Sequence, residues 1–231
     1  VRQSSAVSDL DELTSEIVAC RACPRLVAWR EQVAEERRAS FRDEEYWGRP
    51  VPGFGDPDAR VFVLGLAPAA HGGNRTGRVF TGDRSGDWLF AAMFRAGFAN
   101  QVISTDRDDG LRLAGAYVAA AVRCAPPANK PTPEERDRCR PFLARELVLL
   151  PRVRVIVALG NFAYEAAWRL LGESGVELPK PRPRFAHGLE VTTPRAVILG
   201  CFHPSQQNTF TGRLTEPMLD AVFERARRLV T

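Results

Sequence analysis

One stretch, residues 65–83, constrains this chain more than any other. Its sequence is GLAPAAHGGNRTGRVFTGD. It follows an apolar run, Val61-Phe62-Val63-Leu64, that reads as a buried strand. It precedes residues 85–94, which read as a helix with Ser85 as candidate N-cap. A long glycine-rich connection from strand to helix belongs in an open α/β sheet. There such loops sit at the carboxyl ends of the strands, where ligands bind. Glycines let backbone approach a ligand closely. His71, Asn74, Arg75, Arg78, Phe80 and Asp83 would then surround that ligand.

The rest of the chain points to the same class. Apolar runs at 116–122, 153–159 and 195–199 read as further buried strands, and 185–193 as a short strand or hairpin arm. Helical patterns occupy 8–19 (with Ser8 as cap), 25–39, 132–150, 161–171 and 215–230. Thr132-Pro133-Glu134-Glu135 is a sharp helix start, with a threonine cap, proline at the first helical position and glutamate at the third. Pro126, Pro127 and Pro131 make 123–131 a loop. Residues 46–58 also read as loop, and 200–213 form a second large polar loop. Strands alternating with helices predict one α/β domain over residues 1–231, with a mostly parallel sheet.

With 231 residues, the chain buries a full core in one domain. No apolar run is long enough to span a bilayer, and the first twelve residues lack a signal-peptide pattern, so the expected location is the cytoplasm. The net charge is only +4, but Lys130 and Lys180 are the only lysines among 32 basic residues. A GC-rich codon bias accounts for the total, and the many alanines agree with it. In the glycine-rich loops, Arg75, Arg78 and Arg213 are candidates for phosphate contact, because the guanidinium fork matches phosphate geometry.

Five cysteines raise the question of a metal. A disulfide framework is not expected in a cytosolic protein of this size. Cys20 and Cys23 form C-x2-C, while Cys124 and Cys139 lie far along the chain. Four thiolates suit a structural zinc or an iron–sulfur cluster. Here the second C-x2-C knuckle usual in zinc sites is missing. Cys124 and Cys139 also read as buried, unligated residues, and Cys201 reads as core.

The segments GLAPAAHG (65–72), RVFTGD (78–83) and HPSQQNTFTGRLT (203–215), taken with the cysteine pattern, resemble family 5 of the uracil-DNA glycosylase superfamily, often called type b. The resemblance spans roughly residues 20–215. It implies a four-stranded parallel sheet between helices, with double-stranded DNA carrying a damaged base bound at the strand carboxyl ends. It also implies a structural 4Fe–4S cluster on Cys20, Cys23, Cys124 and Cys139.

Roles follow from the resemblance and from what base excision requires. The target nucleotide must be flipped from the duplex into a pocket. Phe80 matches the family's stacking aromatic, although a core aromatic is the alternative reading. His203 stands where the superfamily places a histidine, as donor to the leaving base; a loop-capping histidine is the alternative. Superfamily relatives carry an acidic or amide residue where this chain has Leu66 and Ala67. Asp83 is therefore the expected catalytic carboxylate, with Asp87 a weaker candidate. Relatives strict for uracil place an asparagine where Ala120 stands, so discrimination should relax toward deaminated purines such as hypoxanthine, with Asn129 a partial replacement. Ala67, His71, Asn74 and Ala120 complete the expected substrate pocket. Residues 206–213, with Gln206, Gln207 and Asn208, are expected to enter the minor groove and fill the space left by the flipped base, with Arg75, Arg78 and Arg213 on phosphates; solvated loop charges are the alternative for each arginine. Lys130 is the only lysine in these loops and precedes proline, so no Schiff-base step is expected. Nothing calls for an obligate dimer, so a monomer is expected.

Three other readings compete. A nucleotide hydrolase would need the lysine-containing phosphate loop, which is absent. An esterase using Ser205 would need a glycine-flanked elbow, also absent. A non-catalytic iron–sulfur DNA-binding module is compatible with the composition.

Overall fold

The computed structural model describes residues 2–231. Its strands are β1 (Phe54–Gly55), β2 (Val61–Gly65), β3 (Ala116–Ala120), β4 (Val155–Leu159), β5 (Glu190–Thr192) and β6 (Val197–Cys201). They form one sheet in the order β1-β3-β2-β4-β6-β5. The four inner strands are parallel, and the short outer strands β1 and β5 pair antiparallel with β3 and β6.

The helices are α1 (Arg2–Ala19), α2 (Pro24–Glu36), α3 (Gly73–Thr76), α4 (Arg84–Arg95), α5 (Pro133–Leu149), α6 (Asn161–Glu173), α7 (Gln206–Phe210) and α8 (Glu216–Val230). Because side chains alternate along a strand, each inner strand feeds two cores. Val61, Val63, Val118, Val155 and Val157 pack with Leu89 and Phe90 of α4 and Leu219 and Phe223 of α8. Phe62, Leu64, Tyr117, Ile156 and Ile198 pack on the opposite face with Leu10 of α1, Leu143 and Leu147 of α5 and Tyr164 of α6. Both faces are covered, so the strands read as continuous apolar runs.

The expected three-layer α/β/α architecture is present, but the sheet has six strands, not four. β1 lies in the stretch expected to be loop, and two residues carry no alternation to detect. Its Gly55 runs so close to β3 that a Cβ there would come within 2.4 Å of the Ala116 carbonyl oxygen, at φ +144°. Two helix starts also differ. Ser8 lies inside α1 and does not cap it. Asp83, not Ser85, caps α4, its Oδ1 accepting from Gly86 N at 3.0 Å. The α5 start is as expected: Thr132 and Glu135 form a capping box and Pro133 leads the helix.

A buried ion pair joins the end of β3 to α5. Arg123 and Glu146 are each 1% exposed. Arg123 Nη1 donates to Glu146 Oε1 at 3.0 Å, and Gly53 N and Tyr117 Oη donate to the same oxygen at 3.3 and 3.4 Å. Removing one partner strands the other charge in the core. Glu146→Gln is expected to cost about 3–5 kcal/mol of folding stability. Urea denaturation would read this as a lower midpoint at unchanged slope; an unmoved midpoint would show that the pair is not needed.

Candidate active site at the carboxyl ends of the strands

The site begins where β2 and β3 end in register, Gly65 opposite Ala120. Beyond this the strands diverge into residues 66–83 and 121–132. The ring of Phe80 folds back over Gly65. A Cβ on Gly65 would lie 2.6 Å from Phe80 Cζ, so a hydrogen is what lets the ring settle there. Phe80 itself has φ +52°, a left-handed conformation that costs a non-glycine residue about 1–3 kcal/mol and tends to occur at functional sites. Ala120 is buried beneath this end of the sheet.

His203 follows β6 and meets Phe80 with ring centroids 5.7 Å apart and planes inclined by 34°. Asn208 Nδ2 donates to the His203 carbonyl at 2.9 Å, fixing the backbone that carries the imidazole. Burial pushes the His203 imidazole down to about 4. It is therefore neutral near pH 7, with one N–H to donate and no proton to surrender.

Asp83 lies three residues beyond Phe80 in the same loop. Its Oδ2 sits against Gly72, where a Cβ would come within 2.1 Å of it. Burial raises the Asp83 carboxyl above its usual value, outweighing the N–H groups of Gly86 and Ser85 that favour the charge. Asp87 is raised by its own burial, on the exposed side of α4. Asp83 and the Phe80–His203 pair thus come from two loops that meet over the sheet end.

Other expected site residues have different places. Asn74 is wholly buried and its Nδ2 donates to the Arg30 carbonyl at 3.2 Å, so it braces the loop from beneath. His71 is half-buried, with Nδ1 3.1 Å from Tyr46 Oη. Arg75 does not extend toward solvent. Its Nε donates to the His71 carbonyl at 2.9 Å, Nη2 to the Gly82 carbonyl at 3.0 Å and Nη1 to Glu44, and it stacks on Phe41. Arg78 is buried. It reaches Asp109 at 2.7 Å, Ser104 Oγ at 2.8 Å, Thr81 Oγ1 at 3.0 Å and the Arg107 carbonyl at 3.0 Å. Burial alone would raise the Asp109 carboxyl, but Arg78 and three backbone N–H groups hold it below the usual range. Both arginines are internal braces of the loop, a correction to their expected phosphate role, because their guanidiniums are committed to the protein.

Asn129 stands on an exposed turn at φ +56°; its backbone N donates to the Pro126 carbonyl at 3.1 Å, and its side-chain amide makes no hydrogen bond among the described residues. Arg213 is exposed, with its guanidinium 4.6 Å from the Phe202 ring centre. Gln206 and Gln207 are exposed on α7. Ser205 caps α7 by accepting from Asn208 N at 3.4 Å, and its hydroxyl meets no imidazole among the described residues. Phe210, within the stretch 206–213 expected to fill the space left by a flipped base though not singled out in it, is 68% exposed at the end of α7, with the Arg84 guanidinium 4.4 Å from its ring centre. A lone aromatic in a polar loop was the available signal.

The cysteines converge at the edge of this site. Cys23, Cys124 and Cys139 share one buried cluster with Leu26 and Val122, and Ala67 packs against it. Cys20 is near enough to act electrostatically on Cys23 and Cys124. Burial pushes the Cys124 thiol up to about 11 and Cys139 up to about 12. Burial also raises the Cys23 thiol, opposed by the nearby Arg138 charge. Cys124 Sγ receives an N–H group from Arg30 at 2.9 Å. Among the described residues no three His, Cys, Asp or Glu side chains are placed to hold a metal ion.

A parallel sheet with polar loops, a neutral histidine and a half-buried carboxylate of raised basicity at its carboxyl end defines an α/β enzyme acting on a ligand held at the strand ends. The profile described as Uracil DNA glycosylase superfamily matches residues 52–227. The chain is 56% identical over 220 residues to the type-5 uracil-DNA glycosylase of Mycobacterium bovis, covering 94% of this chain and 81% of that one. It is 53% identical over 228 residues to the type-5 uracil-DNA glycosylase of Mycobacterium leprae, covering 98% of both chains. It is likewise 53% identical over 222 residues to that of Thermus thermophilus, covering 96% and 98%. The chain belongs to the uracil-DNA glycosylase superfamily, in its type-5 branch.

Proposed function

We propose that this protein is a monofunctional DNA N-glycosylase that hydrolyses the bond between uracil and deoxyribose in double-stranded DNA. The pairing of Phe80, on the loop that Asp83 ends, with a neutral His203 carries this reading. The flipped base stacks on the Phe80 ring. As the glycosidic bond breaks, its electron pair leaves with the base and positive charge develops on the sugar. His203 donates its N–H to the carbonyl oxygen where negative charge gathers. Asp83, as the carboxylate, faces the sugar cation and orients a water. The water oxygen bonds to C1′ and one of its protons passes to Asp83 and on to solvent, the departing base anion takes up a proton from solvent, and the products are the free base and an abasic site. The raised Asp83 carboxyl makes that proton transfer easier than an ordinary aspartate would.

Ala120 offers only a methyl group at the sheet end, so no buried amide is left unpaired by another base. This supports a pocket that also takes hypoxanthine. The test is base release from labelled duplexes carrying uracil or hypoxanthine, followed by alkali, beside Asp83→Ala. Alkali-dependent cleavage of both duplexes, lost in the variant, is expected. Cleavage of the uracil duplex alone would restrict the substrate, and no cleavage of either would favour a non-catalytic DNA-binding module.

The α7 loop supplies the minor-groove contacts, through Gln206, Gln207, Arg213 and the protruding Phe210. Apolar side chains in such loops act as wedges between base steps. Phe210→Ala is expected to lower kcat/KM on duplex about tenfold, as unstacking help worth about 1–3 kcal/mol is lost, and to leave single-stranded uracil excision nearly unchanged. Equal losses on both substrates would rule out the wedge.

The four cysteines fit a structural 4Fe–4S cluster, which is part of the same proposal. Buried thiols gathered in one cluster, with the Arg30 guanidinium donating to Cys124 and the Arg138 charge near Cys23, suit sulfurs that carry negative charge. An iron–sulfide cube also separates its ligands more widely than a single ion does. Cys20, Cys23, Cys124 and Cys139 would hold it. When bound, it would cross-link the α1–α2 junction, the residues after β3 and α5.

A further inference from the structure

Arg30 is a buried cation without a matching carboxylate. It lies on α2 and is 1% exposed. Nη1 donates to Cys124 Sγ at 2.9 Å, and Nη1 and Nη2 both reach the Cys20 carbonyl at 3.3 Å. The carboxylate within ion-pair reach is Glu31, 3.7 Å away, which is half-exposed and already paired with Arg21. Arg30 Nε is buried with no partner. A guanidinium taken out of water in this way is expensive unless a negative charge sits beside it. The group in contact with it that can carry that charge is the Cys124 sulfur, once it is a ligand.

The other end of the same residue touches the substrate loop. The Arg30 carbonyl accepts from Asn74 Nδ2, and Asn74 is wholly buried at the start of α3. Asn74 also carries the turn that accepts from Gly48 N at 3.0 Å. One residue thus spans from a cysteine sulfur to the base of the loop that bears Phe80 and Asp83.

Resting on the cluster reading above, we propose that Arg30 is the counter-cation of the cluster, protecting it from oxidation, while its main chain seats the substrate loop against the cluster site. The physical reason is charge. Ferricyanide takes one electron from a cluster and is reduced to ferrocyanide; the oxidised cluster is less negative, so a cation hydrogen-bonded to one of its thiolates disfavours the loss. Arg30 is a positioning residue and touches no substrate.

The experiment uses holoenzyme purified without air, with iron and sulfide content and thermal midpoint measured first. Bleaching of visible absorbance by ferricyanide is then compared for wild type, Arg30→Lys, Arg30→Gln and Arg30→Met. Lysine should bleach close to the wild-type rate, glutamine faster and methionine at least tenfold faster. Asn74→Ala should bleach at the wild-type rate yet lose several-fold in kcat/KM, which separates the two ends of Arg30. Equal bleaching across the Arg30 series, from protein of equal iron content, would overturn the proposal and leave the cluster reading standing. Wild-type protein with neither iron nor visible absorbance would overturn both. If Arg30→Met does not fold, the order of lysine and glutamine decides.

Discussion

Asp83→Asn should lose about 10²–10⁴-fold in uracil excision while melting at or above the wild-type temperature. Asparagine caps a helix about as well as aspartate, so the bond to Gly86 N survives the change. What disappears is a carboxylate held in a half-buried, desolvated position. Because the Asp83 carboxyl is raised in the folded protein, the fold favours its protonated form. Ionisation at neutral pH therefore works against folding, and removing the ionisable group relieves this. Asp83→Ala, in contrast, removes the cap as well and should give up about 1 kcal/mol of stability. The pH dependence has the corresponding sign. Excision needs the charged form, so kcat/KM should fall as pH drops through a value above the ordinary aspartate range, and this acid limb should be absent in Asp83→Asn. An Asp83→Asn protein that retains activity, measured by single-turnover base release, would move the water-orienting role elsewhere; the exposed Asn129 amide would be the next group to test.

His203→Ala is expected to cost about 10²–10³ in kcat, the usual loss when one donor to a developing negative charge is removed. A leaving group that bears its charge more easily needs the donor less. The deficit should therefore shrink when uracil is replaced by 5-fluorouracil. An equal deficit on both bases would mean that His203 only shapes the pocket. Since the imidazole is pushed down to about 4, it should add no acid limb near 6.5 to the rate profile. It does act on stability. Between about 6.5 and 4 the unfolded chain takes up a proton that the native imidazole refuses, so stability should fall as pH decreases across that window. The fall should be shallower in His203→Ala, as read from urea midpoints.

Much of this molecule was legible in the chain itself. The four inner strands are uninterrupted apolar runs because both faces of the sheet are covered, and such runs stand out without a structure. The α5 start was equally plain, because its capping box is local chemistry between residues three apart. The glycine-rich loop, its aspartate and its phenylalanine could be found by residue type and position.

What local pattern could not reveal was the direction in which polar side chains point. Arg75 and Arg78 look like phosphate ligands in a glycine-rich loop. They turn inward because Glu44, Asp109 and Ser104, which engage them, come from distant stretches of chain. Asn74 is committed to Arg30 for the same reason. The low basicity of His203 likewise belongs to no motif; it arises from desolvation where its ring meets Phe80 of a distant loop. Sequence alone determined the α/β class, the inner strands and the list of reactive groups, since these depend on periodicity and neighbouring residues. Tertiary structure alone decided which arginines are braces, which cysteines meet and which carboxylate is raised, because each depends on desolvation and on charges brought together from far along the chain.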